Sequence, residues 1–267
     1  MGKIRLDVLL TEKGLSSSRE KAKATIMAGQ VYIDQVRVDK PGTMVPDTAE
    51  PEVRGHAIPY VSRGGLKLEK ALDVFSVRPE GRICIDCGAS TGGFSDVLLK
   101  NGAKKIYAID VGYGQLAWSI RNDPRVVVME RTNIRNVTAE QVPDQPDLAA
   151  IDVSFISLKL VFPVLRSIMA PSAEICCLIK PQFEAGREKV GKKGVVKEAA
   201  THVEVLENVI GYALASDFAV TGLTFSPVRG PEGNIEFLGH FRSGTDACGV
   251  DPAAVVRAAH DSLGGSV

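Results

Sequence analysis

The sequence lacks the features that mark membrane and secreted proteins. No apolar run approaches the roughly 18 residues of a spanning helix, so we expect no membrane span. The N-terminus has neither a long apolar core nor a small-residue cleavage site, and we expect no secretory signal. Five cysteines at positions 84, 87, 176, 177 and 248 form no regular framework, and an odd number is typical of reduced cytosolic thiols. We therefore expect a cytoplasmic protein.

An excess of charge is also lacking. The 267 residues contain 32 Lys+Arg and 32 Asp+Glu, so no global positive field attracts the molecule to nucleic acid, and a polyanion site must be a local patch. Hydrophobic residues make up 45% and charged residues 24%, which is globular composition and argues against disorder. There is no internal repeat or low-complexity segment.

The N-terminal part predicts a small domain. One short helix ends at Gly14, and a second, capped by Ser18, ends at Gly29. The apolar side chains at helical spacing are Leu6, Leu9, Leu10, Ala22, Ile26 and Met27. Residues 31–38 alternate as a strand pair with a tight turn at Asp34-Gln35. Residues 42–62 are punctuated by Pro and Gly, and they complete the small domain before a linker near residues 57–61.

Basic residues crowd the start of the second helix. Residues 1–40 hold eight Lys/Arg against five Asp/Glu, and Lys13, Arg19, Lys21 and Lys23 lie where exposed helix amides also favour phosphate. A solvated helix face accounts for the same charges, and charge count alone favours that interpretation.

The string RLDVLLTEKGLSSSREKAKATIMAGQVYIDQVRVDKPGTMV resembles the small RNA-binding domain named after ribosomal small-subunit protein four. The resemblance rests on Arg-Leu-Asp at the start, Ser-Arg-x-x-Ala on the second helix and a hairpin that ends in Lys-Pro. Asp34-Gln35 stands where that family usually has Asn-Gly. The resemblance implies RNA binding.

From residue 63 onward, strands alternate with helices, which is typical of a doubly wound, mostly parallel α/β sheet. Strands are predicted at residues 82–87, 105–110, 126–130, 148–152, 174–179, 219–225 and 234–241. Helices are predicted at 93–101, at 199–216 and from an Asp251-Pro252 cap through Ser262, before a frayed GGSV tail. The predicted organisation is a small domain at 1–56, a linker at 57–62, a large domain at 63–242 and a C-terminal helix and tail at 243–267.

A glycine-rich turn, ICIDCGASTGGF, follows the first strand of the large domain. Such a turn lets backbone amides approach a ligand at a helix N-terminus, although glycine at a tight turn is often structural. Asp110 ends the next strand, where doubly wound folds bind ribose hydroxyls, although a lone aspartate could cap a helix. Together they favour a nucleoside-containing cofactor. No second nucleotide-binding half follows, and the late hairpin is typical of S-adenosylmethionine-dependent methyltransferases.

Residues 186–193, GREKVGKK, resemble a Walker loop but lack its final Ser/Thr, so we predict no ATP site. The loop is basic. Arg187, Lys189, Lys192 and Lys193 could meet RNA phosphates or form a plain solvated loop.

Four charged residues stand at unusual places for a parallel-sheet core. Asp152 and Lys180 end consecutive strands, and strand carboxyl ends line one crevice, so both should face the same ligand. Glu236 lies between Ile and Phe in the last predicted strand, and Lys67 begins the helix that enters the large domain. A satisfied surface charge is an alternative for each, above all for Lys67.

This set suits methyl transfer to a ribose 2′-hydroxyl, a poor nucleophile that needs a base or oriented acceptor. Lysine serves when burial and nearby cations lower its pKa. We predict Lys180 as the base and Lys67 as the neighbouring cation, with Asp152 and Glu236 holding them in place. Asp152-Val-Ser-Phe155 lacks the Asp/Asn-Pro-Pro-aromatic string expected for methylation of exocyclic amines, which favours an oxygen acceptor.

The whole chain resembles the TlyA (haemolysin A) family of ribosomal RNA 2′-O-methyltransferases, whose core is of the FtsJ type. SRGGLKL, DCGASTGGFSDVLL, DVGYGQLAWSIRNDPRV, ERTNIR, DVSFISL, LIKPQFEAG and GPEGNIEF occur in the family's order. The resemblance implies cytidine 2′-O-methylation of rRNA with S-adenosylmethionine, in a Rossmann-like methyltransferase domain with a seven-stranded sheet. Ile58-Pro59-Tyr60-Val61 stands where some members have Arg-x-Trp-Val, so linker signalling is not carried over.

The family's catalytic tetrad corresponds to Lys67, Asp152, Lys180 and Glu236. The expected cofactor contacts are Asp86, Gly88, Ala89, Ser90, Thr91, Gly92, Gly93, Phe94, Asp110, Thr132 and Asn133. The expected RNA contacts are Arg5, Lys13, Arg19, Lys21, Lys23, Arg63, Arg187, Lys189, Lys192 and Lys193. Ribosomal RNA or ribosomal subunits are the expected partners, and no metal, membrane or protein partner is implied.

Other candidates are weaker. Cys84-x-x-Cys87 has no second pair and predicts core thiols rather than a zinc site. The histidines at 56, 202, 240 and 260 are scattered, and Trp118 could contact the cofactor or simply pack. Two other functions stay open, a haemolysin-type membrane-damaging protein and a non-catalytic ribosome-binding factor.

Overall fold

The computed structural model describes residues 2–27, 29–54, 58–244 and 246–263, without the side chains of Arg37 and Pro231. The chain divides into two compact units, Met1–Gly65 and Leu66–Val267. His56, the start of the predicted linker at residue 57 and the predicted tail at 264–267 lie outside the described residues.

The N-terminal unit contains two short helices and two small sheets. Its elements are β1 (Lys3–Arg5), α1 (Leu6–Glu12), α2 (Arg19–Met27), β2 (Val31–Ile33), β3 (Val36–Val38), β4 (Met44–Pro46) and β5 (Glu52–Val53). β1 pairs antiparallel with β4, and β2 lies between β3 and β5. The predicted helices and strand pair are confirmed, and β4 and β5 are additions to the predicted elements of this unit.

Local rules explain this unit. Ser18 caps α2, since its Oγ accepts a hydrogen bond from Lys21 N at 3.2 Å. Asp34 and Gln35 have φ of 49° and 65°, the left-handed pair whose twist suits a two-residue hairpin. The core consists of Leu6, Leu9, Leu10, Ala22, Ile26, Val31 and Val45. Met27, predicted on the apolar face, is instead 42% exposed because it lies one residue beyond Ile26, about 100° around the helix.

The C-terminal unit alternates strands and helices around one large sheet. Its elements are α3 (Gly65–Val74), β6 (Ile83–Cys87), α4 (Gly93–Lys100), β7 (Lys105–Ile109), α5 (Trp118–Arg121), β8 (Val126–Met129), β9 (Leu148–Ile151), α6 (Phe162–Ile168), β10 (Glu174–Ile179), α7 (Pro181–Glu184), α8 (Ala199–Leu214), β11 (Phe218–Phe225), β12 (Phe237–Ser243) and α9 (Pro252–Leu263). Leu66 onward belongs to this unit, so α3 begins at its border.

The seven strands have the order β11-β12-β10-β9-β6-β7-β8. Five neighbouring strands, β8, β7, β6, β9 and β10, are parallel to one another. β12 pairs antiparallel with both β10 and β11. One face carries a large buried core that includes Ile85, Ile151, Ile175, Phe162 and Phe241. The predicted Rossmann-like methyltransferase class, with its late hairpin, is confirmed.

The last predicted strand begins later than expected. β12 starts at Phe237, so Asn234, Ile235 and Glu236 precede it instead of lying inside it. A turn with positive φ at Glu232 and Gly233 ends immediately before Asn234, and the Asn234 carbonyl accepts from Gly230 N at 2.9 Å. This turn, which local alternation does not reveal, keeps Glu236 at the end of the sheet.

The five cysteines are free, and four of them are buried. Cys84 and Cys87 are free and buried, as predicted for core thiols, and burial raises the pKa of Cys84 to about 12. Cys176 and Cys177 are also free and buried. Cys248 is free and exposed. In the described part of the chain, no helix has the length and apolarity needed to cross a bilayer.

Candidate active site

The glycine turn after β6 is shaped by contact with the end of β9. Gly88 has φ of +88°, and a Cβ there would lie 2.4 Å from the Asp152 carbonyl oxygen. Asp152 N in turn donates to the Cys87 carbonyl at 2.8 Å. Glycine at this position therefore lets the turn and Asp152 meet at the carboxyl edge of the sheet.

Asp110 follows β7 and binds two backbone amides. Its Oδ2 accepts from Ser90 N at 2.8 Å, and its Oδ1 accepts from Gly112 N at 2.6 Å. A small cleft beside it is lined by Ala89, Ser90, Ala108, Asp110, Gly112, Gln115, Leu116 and Glu130. The lining combines small and apolar side chains with the carboxylates of Asp110 and Glu130, which are residue types found at nucleoside sites.

Asp86, the last but one residue of β6, is fully buried. Its Oδ2 accepts from Ser95 N at 2.8 Å and from Ser95 Oγ at 2.7 Å. Among the described residues its Oδ1 has no hydrogen-bond partner. Burial outweighs the Ser95 hydrogen bonds and raises the pKa of Asp86 to about 7.

The remaining predicted cofactor residues divide into two groups. Thr91 is half-buried, Gly92 has φ of +91°, and Gly93 and Phe94 begin α4, with Phe94 buried. Thr132 lies beside Asp110, because its amide donates to the Asp110 carbonyl at 2.9 Å. Asn133 caps the short 3₁₀ turn Ile134–Asn136, since its Oδ1 accepts from Arg135 N at 3.1 Å.

Two lysine–carboxylate pairs lie at the same edge of the sheet. Lys180 Nζ is 2.5 Å from Asp152 Oδ1, and Lys67 Nζ is 2.5 Å from Glu236 Oε2. The strand pair Ile179–Phe237 in β10 and β12 immediately precedes Lys180 and follows Glu236, so the two pairs are neighbours. The structure thus brings together all four residues of the predicted tetrad.

The Lys67–Glu236 pair is the more buried of the two. The Lys67 side chain is 8% exposed and that of Glu236 is 0% exposed. Gly230 is required beside it, since a Cβ there would fall 2.1 Å from Glu236 Oε1. The Lys180 side chain is 10% exposed and that of Asp152 is 22% exposed, so this pair has more access to solvent and to a ligand.

Several residues beside the tetrad escaped the sequence analysis. Ser154 Oγ accepts from Lys180 Nζ at 3.0 Å, and Gln182 Nε2 lies 3.5 Å from Glu236 Oε1. Phe155 is 90% exposed, and its ring centroid lies 4.9 Å from that of Phe183. The motif strings DVSFISL and KPQFEAG contain these residues, but only the fold shows that the two strings meet.

Two of the predicted RNA contacts of the N-terminal unit, Arg5 and Arg19, bind a buried carboxylate. Asp7 is 0% exposed and accepts hydrogen bonds from Arg5 and Arg19, each at 3.0 Å. These arginines are 43% and 53% exposed, so they remain accessible. Lys13 pairs with Glu50 at 2.6 Å. Lys21 and Lys23 are exposed, and Arg63 is half-buried.

The basic loop of residues 186–193 is exposed. Lys189 is paired with Glu204, whereas Arg187, Lys192 and Lys193 present their side chains to solvent. The end of the loop is fastened by Asn234, whose Nδ2 donates to Gly194 O at 2.9 Å and whose Oδ1 accepts from Val196 N at 3.1 Å. The loop is therefore tied to the segment that carries Glu236.

His202, His240 and His260 have partners other than the tetrad, and Trp118 directly follows Ala117, whose amide donates to the Thr91 carbonyl at 3.1 Å. His202 Nδ1 and His260 Nε2 are 2.9 Å apart, so the expectation that the histidines are scattered is wrong for this pair, which joins α8 to α9. Burial lowers the pKa of His202 to about 4. Trp118 is 69% exposed. Within the described ranges, no three His, Cys, Asp or Glu side chains are grouped to hold a metal ion.

Comparisons with known proteins cover both units. The FtsJ-like methyltransferase family matches residues 60–243, and the S4 domain family matches residues 4–50. The 16S/23S rRNA (cytidine-2′-O)-methyltransferase TlyA of Mycobacterium tuberculosis is 46% identical over 243 residues, which is 91% of each chain. Hemolysin A of Brachyspira hyodysenteriae is 42% identical over 89% of this chain and 99% of its own.

A solved structure agrees in fold. A hemolysin-named protein from Streptococcus thermophilus superposes with a TM-score of 0.80 and 47% identity, over 99% of this chain and 98% of that one.

Proposed function

This chain belongs to the TlyA and hemolysin A family, in which an S4 domain precedes an FtsJ-like methyltransferase domain, and we propose that it methylates the 2′-oxygen of a cytidine in ribosomal RNA. The observation that carries this proposal is the pair of lysine–carboxylate contacts beside the glycine turn. The named reaction of the Mycobacterium tuberculosis relative supplies the substrate class. We expect this protein to act in the cytoplasm, with ribosomal RNA or ribosomal subunits as its partner.

S-adenosylmethionine fits the glycine turn and the cleft beside Asp110. Ser90 N and Gly112 N orient the Asp110 carboxylate, whose remaining lone pairs can accept from ribose hydroxyls. Leu116 offers an apolar wall, and Ala89 and Ser90 of the glycine turn line the same cleft. When bound, S-adenosylmethionine supplies an electrophilic methyl group on a sulfonium.

Lys180 is proposed as the base. Transfer would form the C–O bond to the methyl carbon while the methyl–sulfur bond of the cofactor breaks and leaves a neutral thioether. The O–H bond of the ribose 2′-hydroxyl would break, and its proton would pass to the amine of Lys180. Asp152, 2.5 Å away, stabilises the resulting ammonium, and Ser154 fixes the direction of Nζ. Holding the proton acceptor in place before the reaction removes much of the entropic cost of bringing the groups together.

Lys67 and Glu236 are proposed as positioning and electrostatic residues. Lys67 places a buried ammonium beside the Lys180–Asp152 pair. Glu236 compensates the buried charge of Lys67, which would otherwise be costly. Gln182 extends this contact from α7.

Phe155 and Phe183 are proposed to receive the target base. An exposed aromatic side chain next to a catalytic lysine offers a stacking surface for an unstacked base, and ring–base stacking is a common mode of RNA recognition. A base turned out of its stack presents its ribose to Lys180. Exposed arginines and lysines of the S4 domain supply phosphate contacts that position the RNA.

The test is methyl transfer from labelled S-adenosylmethionine to isolated ribosomal subunits, 70S particles and naked rRNA, with the product mapped by nucleotide. Label on a cytidine 2′-oxygen supports the proposal, and the preferred particle identifies the assembly state on which the enzyme acts. Label on a base atom would contradict the oxygen acceptor. Bound cofactor without transfer to any substrate would contradict the substrate class, and neither binding nor transfer would favour a non-catalytic ribosome-binding factor.

A further inference from the structure

Glu184 has no part in the proposed chemistry, yet it binds the segment that follows Asp152. Its Oε2 accepts from Ser157 Oγ at 2.6 Å, and its Oε1 accepts from Leu158 N at 2.8 Å. Ser157 caps a 3₁₀ turn over Leu158–Leu160. Both carboxylate oxygens of Glu184 therefore hold the beginning of this turn.

The same segment is fastened at its other end. Asp152 N donates to Cys87 O at 2.8 Å, and Lys180 Nζ contacts both Asp152 and Ser154. Residues 153–157 thus run between two anchors. Lys180 and Glu184 supply those anchors. They lie at the two ends of α7, since Lys180 precedes the helix and Glu184 is its last residue.

Phe155 lies between the anchors in an unfavourable conformation. Its φ is +62°, in the left-handed region that a bulky residue rarely adopts, and its side chain is 90% exposed. Such backbone strain persists only where surrounding contacts enforce it, and it is concentrated at functional sites. The one aromatic contact of Phe155 among the described residues, with Phe183, also comes from α7.

Placing the Glu184 carboxylate here costs free energy, because it is partly removed from water. Burial raises the pKa of its carboxyl, and the hydrogen bonds from Ser157 and Leu158 act in the opposite direction. Among the described residues, this half-buried carboxylate has these two hydrogen bonds and no ion pair, and such a residue is better explained by what it holds than by stability alone.

We propose that Glu184 is a positioning residue that fixes residues 153–157 so that Phe155 stands ready to stack on the target base. This inference rests on the proposed function, because it assigns Glu184 a role in RNA methylation that acts through Phe155. No contact of Glu184 with RNA or cofactor is required.

The experiment compares Glu184→Ala with Glu184→Gln and with Glu207→Ala, an exposed glutamate on α8 that serves as the matched control. Turnover on ribosomal subunits should fall 10- to 100-fold in Glu184→Ala, while the Kd for S-adenosylmethionine stays within twofold by calorimetry. Glu184→Gln keeps an acceptor for Leu158 N and should recover to within tenfold of wild type. Glu207→Ala should match wild type.

A double-mutant cycle with Phe155→Ala separates positioning from general destabilisation. If Glu184 acts through Phe155, the double variant should be no more than about twofold slower than the slower single variant. Losses that multiply, or Glu184→Ala turnover within twofold of wild type, would overturn the inference. Should Glu184→Ala fail to fold, Ser157→Ala, which removes one of the two hydrogen bonds, must still slow turnover severalfold without loosening cofactor binding, and a normal rate would count equally against the inference.

Failure of the proposed function gives a different result. Wild-type protein would then label no ribosomal substrate at a 2′-oxygen, whatever the behaviour of the Glu184 variants.

Discussion

Two aspartates with no solvent-exposed surface behave oppositely in the two units. In the N-terminal unit, hydrogen bonds from Arg5 and Arg19 hold the pKa of Asp7 below its usual range, although burial opposes them. In the C-terminal unit, Ser95 is the one hydrogen-bond partner of the Asp86 side chain among the described residues, and burial raises the pKa of Asp86 to about 7. Two differences act together: Asp7 has two cationic partners, whereas Asp86 has none and is surrounded by far more protein.

The two units also differ in how accessible their cations are. Around Asp7 the cations are half exposed, with their guanidinium groups accessible to phosphate. At the proposed methyltransferase site, Lys67 and Lys180 are buried against carboxylates, and they are less accessible to a phosphate backbone than the arginines around Asp7. Binding a polyanion requires accessible charge, whereas proton transfer requires charge removed from water and held in place.

The largest effect is expected from Lys180→Ala. Loss of the proposed base should lower turnover about 10³-fold, within the range typical of general acid–base catalysis, while cofactor affinity stays near wild type. Single-turnover methylation of subunits, with calorimetry for the cofactor, measures both quantities. Near-normal turnover would show that Lys180 is not the base and that the Lys180–Asp152 pair is an ordinary ion pair.

Asp86→Asn tests the carboxyl that lacks a cation. Because the folded pKa lies above the unfolded value, the native state binds the extra proton between about pH 4 and pH 7, so Asp86 makes wild type lose stability as pH rises through that window. Between pH 5 and pH 8 this contribution is about 2–3 kcal/mol, at 1.36 kcal/mol per pKa unit. Urea unfolding at both pH values should show a smaller fall for Asp86→Asn. Parallel pH dependence in the two proteins would mean that Asp86 is ionised at neutral pH.

Asp7→Asn tests the carboxyl that has its cations. A lowered folded pKa contributes stability above the unfolded pKa and loses it as pH falls through the folded one. The variant should lose about 2 kcal/mol at pH 7, since hydrogen bonds to charged groups contribute roughly 1.5–3 kcal/mol, and the difference from wild type should shrink below pH 4. Equal stability of the two proteins at pH 7 would show that the contacts of Arg5 and Arg19 with Asp7 contribute little to the free energy of unfolding.

The smallest effect on stability is expected from the double variant Lys21→Ala/Lys23→Ala. These lysines are exposed on α2, so the free energy of unfolding should change by less than about 0.5 kcal/mol. If both contact phosphates, the slope of log affinity for rRNA against log salt should become shallower by about 1.4 to 1.8. An unchanged slope would leave these charges as a solvated helix face.

Much of the fold was predictable because it follows from local patterns. Apolar runs placed the strands of the large domain, and in six of seven cases they ended within about a residue of the observed bounds. Capping by Ser18 and the Asp34-Gln35 turn were predictable for the same reason, since both are decided by neighbouring residues. The late start of β12 was missed because a turn at Glu232 and Gly233 outweighs the apolar residues around Glu236.

The site was only partly predictable. Motif strings identified the four tetrad residues, and strand ends placed Asp152 and Lys180 at one edge. The strings did not show that Lys67 binds Glu236, 169 residues away, rather than Asp152. They also gave no reason to single out Glu184, because its partners Ser157 and Leu158 lie on a different segment.

The amino-acid pattern therefore determined the elements, their order and the residue types that carry the chemistry, because helices, strands, turns and caps depend on spacing along the chain. The tertiary structure alone decided which charges are paired, which are buried and how far each pKa moves. Those properties depend on distance and on exclusion of water, and both arise only when segments far apart in the chain pack together.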